Sequence, residues 1–199
     1  MEKVLVTGIS GFLGHHCASE LLKNGYYVKG SLREMNKKDE VLNGLKKEVD
    51  SISNLEFVKL DLLSDEGWDN AMEDCKYVLH VASPFSVKEP KDENEYIEPI
   101  RGGTMRALKS AQKAKVKRLV LTSSAVTMMG VVYDSKTNTG TVDTKDWTDP
   151  YSKNINTYIK AKTLGEKAAW EFYDNQSNDF SMEMAVMCAG GIYGPSLTG

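Results

Sequence analysis

The stretch Val4-Leu5-Val6-Thr7 has the composition of a buried strand, and it runs directly into Gly8-Ile9-Ser10-Gly11-Phe12-Leu13-Gly14, where a helical pattern begins. Few arrangements tolerate three glycines at that spacing between a first strand and a first helix. Gly8 lets the chain turn tightly out of the strand, Gly11 lets backbone approach a diphosphate with no Cβ in the way, and Gly14 allows close helix packing. The start of the following helix offers N–H groups and a positive dipole end to phosphate. The turn predicts a dinucleotide site whose diphosphate contacts are Gly8, Gly11, Phe12, Leu13 and Gly14.

The rest of the chain repeats the same alternation. Strand candidates are Val4–Thr7, Tyr26–Gly30, Leu55–Leu60, Tyr77–Ala82, Arg118–Thr122 and Met182–Cys188. Helix candidates between them are Phe12–Lys23, Lys38–Asp50, Asp65–Met72, Glu95–Lys115 and Thr157–Asn175. The strands are apolar with little alternation, as expected when both faces are covered. Repeated β-α units of this kind predict an α/β fold, a doubly wound parallel sheet of Rossmann type, in one domain over residues 1–199. The segment Met129–Ser152 is largely polar, carries Gly140 and Pro150, and reads as a long loop of the sort found beside sites.

Composition narrows the function classes. Of 199 residues 41% are hydrophobic, enough for a core, and the net charge of −3 is spread along the chain. Runs such as Asn36–Glu40 and Lys88–Glu95 read as solvated surface. No basic stripe with interleaved aromatics argues for nucleic acid, and the apolar runs fall well short of a membrane span. The N-terminus enters a strand at once, without a secretory apolar region. Cys17, Cys75 and Cys188 are odd in number and far apart, which suits reduced thiols in a cytoplasmic protein. His15, His16 and Cys17 are adjacent but diverge around a helix, so no metal site is expected.

The choice of dinucleotide turns on the end of the second strand, where a carboxylate commonly binds the ribose 2′-hydroxyl. Here Tyr26–Leu32 leads to Arg33, with Lys37 four residues on. A guanidinium suits a 2′-phosphate, so NADP is favoured over NAD, although Glu34 directly follows Arg33.

Late in the chain, Thr157–Lys162 reads TYIKAK. Tyr158 and Lys162 are four apart and share one helix face. Reducing a carbonyl by hydride transfer leaves an alkoxide that needs a proton. A tyrosine can supply it once a nearby ammonium lowers a phenol pKa that is ordinarily near 10.

Three further stretches join this pair: Asp61-Leu62, the HVASPF of His80–Phe85, and the LTSSA of Leu121–Ala125. With the glycine turn and the tract YIKAKTLGEKAAW they resemble the extended short-chain dehydrogenase/reductases. The resemblance is to the branch of dihydroflavonol-4-reductase, cinnamoyl-CoA reductase and microbial aldehyde/ketone reductases, over residues 3 to 197. It implies a Ser-Tyr-Lys catalytic set at Ser124, Tyr158 and Lys162. Ser123 is the competing serine; Ser124 is preferred because it directly precedes the small residue matched by Ala125. The resemblance also implies that Arg33 and Lys37 hold the adenosine phosphate and that Asp61 and Leu62 line the adenine. Ala82 and Ser83 would lie beside the nicotinamide-side ribose, and Lys162 would reach the ribose hydroxyls.

Two departures stand out. The family's Asn-Pro pair after the sixth strand is Cys188-Ala189 here, and the chain ends at Gly199, where the smaller substrate lobe of the family would begin. A protein naturally this short would expose sheet edge and need a partner or a homo-oligomer to cover it. The expected activity is NADP-dependent reduction of an aldehyde or ketone, a small-molecule substrate, to an alcohol. A sugar-nucleotide epimerase or dehydratase and a non-catalytic NADP-binding module are the alternatives. His80 reads as a core histidine, Trp68, Trp147 and Trp170 as packing residues, and Phe85, Met128, Met129 and Tyr193 as substrate contacts by position alone.

Overall fold

The computed structural model describes residues 1–85, 88–133, 141–176 and 181–197. Six strands form one parallel sheet in the order β3-β2-β1-β4-β5-β6. They are β1 (Lys3–Thr7), β2 (Tyr27–Leu32), β3 (Leu55–Lys59), β4 (Tyr77–His80), β5 (Arg118–Ser124) and β6 (Glu183–Ala189). The helices are α1 (Phe12–Lys23), α2 (Lys38–Leu45), α3 (Trp68–Met72), α4 (Asn94–Ile97), α5 (Gly103–Lys113), α6 (Val126–Tyr133) and α7 (Thr157–Asp174).

Successive side chains of β1 show why the strand is apolar throughout. Leu5 joins a core with Trp68, Met72, Leu108 and Leu119, on the face covered by α3, α5 and α7. Val6 joins a second core with Ile9, Ala18, Val28 and Leu45, on the face covered by α1 and α2. The sheet lies between the two layers, the doubly wound arrangement expected from the strand pattern. Strand order reverses between β1 and β4, and a crevice opens there at the carboxyl ends of the strands, the place where such sheets bind ligands.

The elements differ from expectation mainly at their ends. The predicted 95–115 helix is interrupted: a π-helical turn, Glu98–Gly102, separates α4 from α5. Pro99 lies in it and has no N–H to give to the regular ladder, so the bonding pattern slips by one residue. Helix α6 occupies the start of a segment read as loop. Its sequence VTMMGVV is largely apolar and continues past Met129, where a polar loop is expected to begin. Thr148 fastens the far side of that segment, since its N–H donates to Thr127 O at 2.7 Å and its hydroxyl to Val126 O at 2.6 Å. Gly140 lies outside the described residues.

Candidate active site

The glycine turn is built as its sequence demands, with one refinement. Gly8 has φ of +70°, a conformation that disfavours any side chain. Gly14 is required by the turn more than by the sheet: a Cβ there would lie 2.3 Å from the Gly8 carbonyl oxygen. Helix α1 makes its first intrahelical bond from His15 N–H to Gly11 O at 2.9 Å. The N–H groups of Phe12, Leu13 and Gly14 precede that bond, and no side chain caps the helix. Gly8 N–H donates to Ser31 Oγ at 3.0 Å and Ile9 N–H to Ser31 O at 3.1 Å, so β2 holds the turn rigidly. Ser31 was not anticipated as part of the site.

Thr7 ties the turn to β4. Its Oγ1 accepts the N–H groups of Val81 and Ala82, both at 3.0 Å, and lies 3.0 Å from His80 Nδ1. Both hydroxyl lone pairs are then used, so the hydroxyl proton goes to Nδ1 and the imidazole carries its own proton on Nε2. Burial holds His80 neutral, with its pKa brought down to about 3, and the Lys162 charge adds to that effect. His80 is thus a satisfied core residue that fixes the backbone leading to Ala82 and Ser83.

A cleft of about 690 Å³ starts at this turn. Gly8, Gly11, Phe12, Leu13, Gly14, Arg33, Asp61 and Leu62 line it on the side of β1, β2 and β3, and Ala82 and Ser83 line it after β4. Ser123, Ser124, Tyr158 and Lys162 line the other end. The backbone at Asp61 is held by Trp68, whose Nε1–H donates to Asp61 O at 3.2 Å and Ser64 O at 2.9 Å. The uncapped helix start and the bare Gly11 leave room and donors for a diphosphate, so the residues present fit a dinucleotide.

Lys37 departs from the expected set. It is not among the residues lining the cleft, and its Nζ sits 2.9 Å from Glu40 Oε2, three residues on in the first turn of α2. Arg33 does line the cleft, with its side chain largely exposed and Glu34 3.6 Å away. Of the substrate contacts proposed by position, Phe85 lines the cleft, whereas Met128, Met129 and Tyr193 do not.

At the far end, Tyr158 and Lys162 project from α7, whose start is capped by Asn156 accepting Ile159 N–H at 2.9 Å. The Tyr158 ring is flanked edge-on by Phe85 at 5.3 Å and Tyr96 at 6.1 Å between centroids. Burial pushes the phenol pKa up, and a hydrogen bond with Ser124 opposes that rise. The downward pull expected from Lys162 is not among the influences on the phenol, which are burial, Ser124 and Tyr96. The Lys162 ammonium is directed elsewhere: it donates to Thr122 O at 2.9 Å, and burial draws its own pKa down to about 8. Ser124 and Ser123 separate cleanly. The first meets Tyr158, while Ser123 Oγ donates to Glu166, a buried carboxylate absent from the expected set. The spacing Tyr158, Lys162, Glu166, four residues each time, was the signal for it.

The sequence matches the NAD dependent epimerase/dehydratase family over residues 4–199. The chain is 33% identical to the bifunctional dihydroflavonol 4-reductase/flavanone 4-reductase of Malus domestica, over 98% of this chain and 57% of that protein. It is 34% identical to dihydroflavonol 4-reductase of Arabidopsis thaliana, over 95% of this chain and 50% of that one. Among solved structures, yeast methylglyoxal/isovaleraldehyde reductase Gre2 complexed with NADPH superposes with a TM-score of 0.85 at 26% identity, covering 98% of this chain and 59% of Gre2. The chain therefore spans little more than half the length of the curated relatives it matches. With the glycine turn, the cleft and a sequence match over nearly its whole length, the chain belongs to the NAD dependent epimerase/dehydratase family, the extended short-chain dehydrogenase/reductases.

Proposed function

We propose that this chain is the dinucleotide-binding domain of an NADP-dependent reductase that converts an aldehyde or ketone to an alcohol. The observation that carries the reading is the cleft itself. It joins an uncapped helix start and Arg33 to Ser124, Tyr158 and Lys162. The likeness to dihydroflavonol 4-reductases and to an NADPH-bound aldehyde reductase supports reduction over sugar-nucleotide chemistry.

Bound in the cleft, NADPH would supply the hydride. The Phe12, Leu13 and Gly14 N–H groups would receive its diphosphate, and Arg33 its adenosine phosphate. Ser124 would orient the carbonyl oxygen by hydrogen bonding, leaving it within reach of Tyr158. Because burial keeps the phenol protonated, Tyr158 Oη holds the proton that the alkoxide needs. Lys162, cationic and fixed to the sheet through Thr122, would stabilise the phenolate left behind. The part of the relatives' length that this chain does not match would complete the substrate pocket.

The test is NADPH oxidation by the purified protein with a panel of aliphatic and aromatic aldehydes, beside a Tyr158→Phe variant. Turnover in the parent that falls by about 10²-fold or more in the variant, with NADPH binding intact, supports the reading. Equal turnover in both would defeat it. NADPH binding with no turnover in either would favour a non-catalytic module.

A further inference from the structure

Behind Tyr158 and Lys162, the same face of α7 carries a third ionisable group for which the proposed reaction has no use. Glu166 lies one turn beyond Lys162 and is 6% exposed. Three elements converge on its carboxylate. Ser123 of β5 donates its hydroxyl to Oε2, Trp170 of α7 donates Nε1–H to Oε1 at 3.4 Å, and the Cys188 thiol of β6 lies 3.7 Å from both oxygens. A carboxylate so far from water is costly unless both its hydrogen bonds and its charge are met. Its hydrogen bonds come from neutral donors, and a cation close by would offset its charge.

Lys162 presents the complementary problem. It is 6% exposed, and its acceptor, Thr122 O, is a neutral carbonyl. The titratable groups facing it are Tyr158 and Glu166 on α7, His80 on β4 and Cys188 on β6. His80 is held neutral by burial, and burial pushes the Tyr158 phenol and the Cys188 thiol up, so both keep their protons near neutrality. Among the described residues, Glu166 is then the negative charge that acts on the ammonium, without a direct ion pair: it sits one turn along the same helix face, held by Ser123 beside the Lys162 acceptor Thr122.

On the reading that Lys162 serves Tyr158, we propose that Glu166 is a positioning residue: the counter-ion of the Lys162 ammonium, locked in place by Ser123, one helical turn behind the reacting pair. It touches neither substrate nor cofactor and acts through Lys162. The second serine of the Ser123-Ser124 pair thereby gains a role distinct from the first. Burial pulls Lys162 down to about 8 and Glu166 pulls it up, so the carboxylate keeps the lysine charged near neutral pH.

The experiment follows Lys162 directly, by NMR titration of protein carrying ¹³C-labelled lysine, with its resonance assigned through Lys162→Met. In Glu166→Gln, which keeps the size and hydrogen-bonding capacity but removes the charge, the Lys162 midpoint should fall by about one pH unit relative to the parent. Glu166→Asp, which keeps the charge, should restore most of that difference. In the same variants the alkaline limb of the kcat profile should move to lower pH by the same amount. A folded Glu166→Gln protein with an unmoved Lys162 midpoint overturns the proposal. Should that variant not fold, Ser123→Ala, which frees the carboxylate without neutralising it, must lower the midpoint; an unchanged midpoint there overturns it equally. The midpoint is read without substrate, so its failure is distinct from failure of the reductase reading, which Tyr158→Phe decides.

Discussion

Lys162 Nζ donates to the carbonyl oxygen of Thr122 at 2.9 Å, tying the second turn of α7 to the end of β5. The bond holds a buried ammonium in the lining of the cleft. Replacing Lys162 by Met keeps the apolar stem and should leave the fold intact while kcat falls by about 10²–10³-fold. Because burial brings Lys162 to about 8, reduction should weaken as pH rises through that value, where an exposed lysine would still be charged. The phenol of Tyr158 is shifted upward and keeps its proton over the same range. A Lys162→Arg protein, whose guanidinium does not lose its charge there, should lack this limb; steady-state kinetics across pH 6 to 10 would check both points.

Two glycines of the first turn should separate folding from binding. A Cβ at Gly14 would fall 2.3 Å from the Gly8 carbonyl oxygen, and backbone cannot give way cheaply. Gly14→Ala should cost about 1–3 kcal/mol of stability or more, visible in denaturant titration. A Cβ at Gly11 would meet only that same oxygen, at 3.3 Å, and Gly11 has a φ of −78° that alanine adopts readily. Gly11→Ala should melt close to the parent and yet bind NADPH at least tenfold more weakly, because the methyl stands where phosphate must approach.

The basic residues after β2 should prove unequal. Arg33 lines the cleft, and Arg33→Ala should lower the preference for NADPH over NADH by roughly tenfold or more, the loss of a charged hydrogen-bonded contact. Lys37 is engaged with Glu40 and lies off the cleft, so Lys37→Ala should change that ratio little. Fluorescence titration with the two nucleotides distinguishes the residues.

Acid should destabilise the domain through its buried imidazoles. His80 has its pKa depressed from 6.5 to about 3, so its contribution is complete above 6.5 and is lost progressively as pH falls towards 3. At pH 5 the loss is on the order of 2 kcal/mol. His15, 2% exposed and also shifted down by burial, adds in the same direction. His80→Gln keeps a neutral acceptor for Thr7 and should flatten this part of the dependence in chemical denaturation between pH 7 and 5.

Much of this architecture was legible because β-α alternation and the glycine turn are local signals. The helix over Phe12–Lys23 begins and ends where its sequence says. Signals that depend on long-range partners were not. Nothing near Ser123 announces a carboxylate 43 residues away, whereas the Lys37–Glu40 pair, three residues apart, was a local signal that went unused. Helix α6 was missed for a different reason: the segment Met129–Ser152 is polar over most of its length and carries Gly140 and Pro150, and the hydrogen bonds that hold the helix come from Thr148, far along the chain. The pull on the Tyr158 phenol was misjudged because spacing reports which face a lysine shares, not which acceptor it chooses.

The slipped turn at Pro99 sets the surroundings of Tyr158 from outside the cleft's own strands. One extra residue in a helix rotates everything before it by about 100° relative to everything after. Tyr96 and Ile100 consequently pack with Ala161 and Tyr158, while α5 keeps Ala107, Leu108 and Ala111 in the sheet-facing core. A single missing amide hydrogen thus lets one rod serve two masters, its front half walling the phenol and its rear half bracing the sheet.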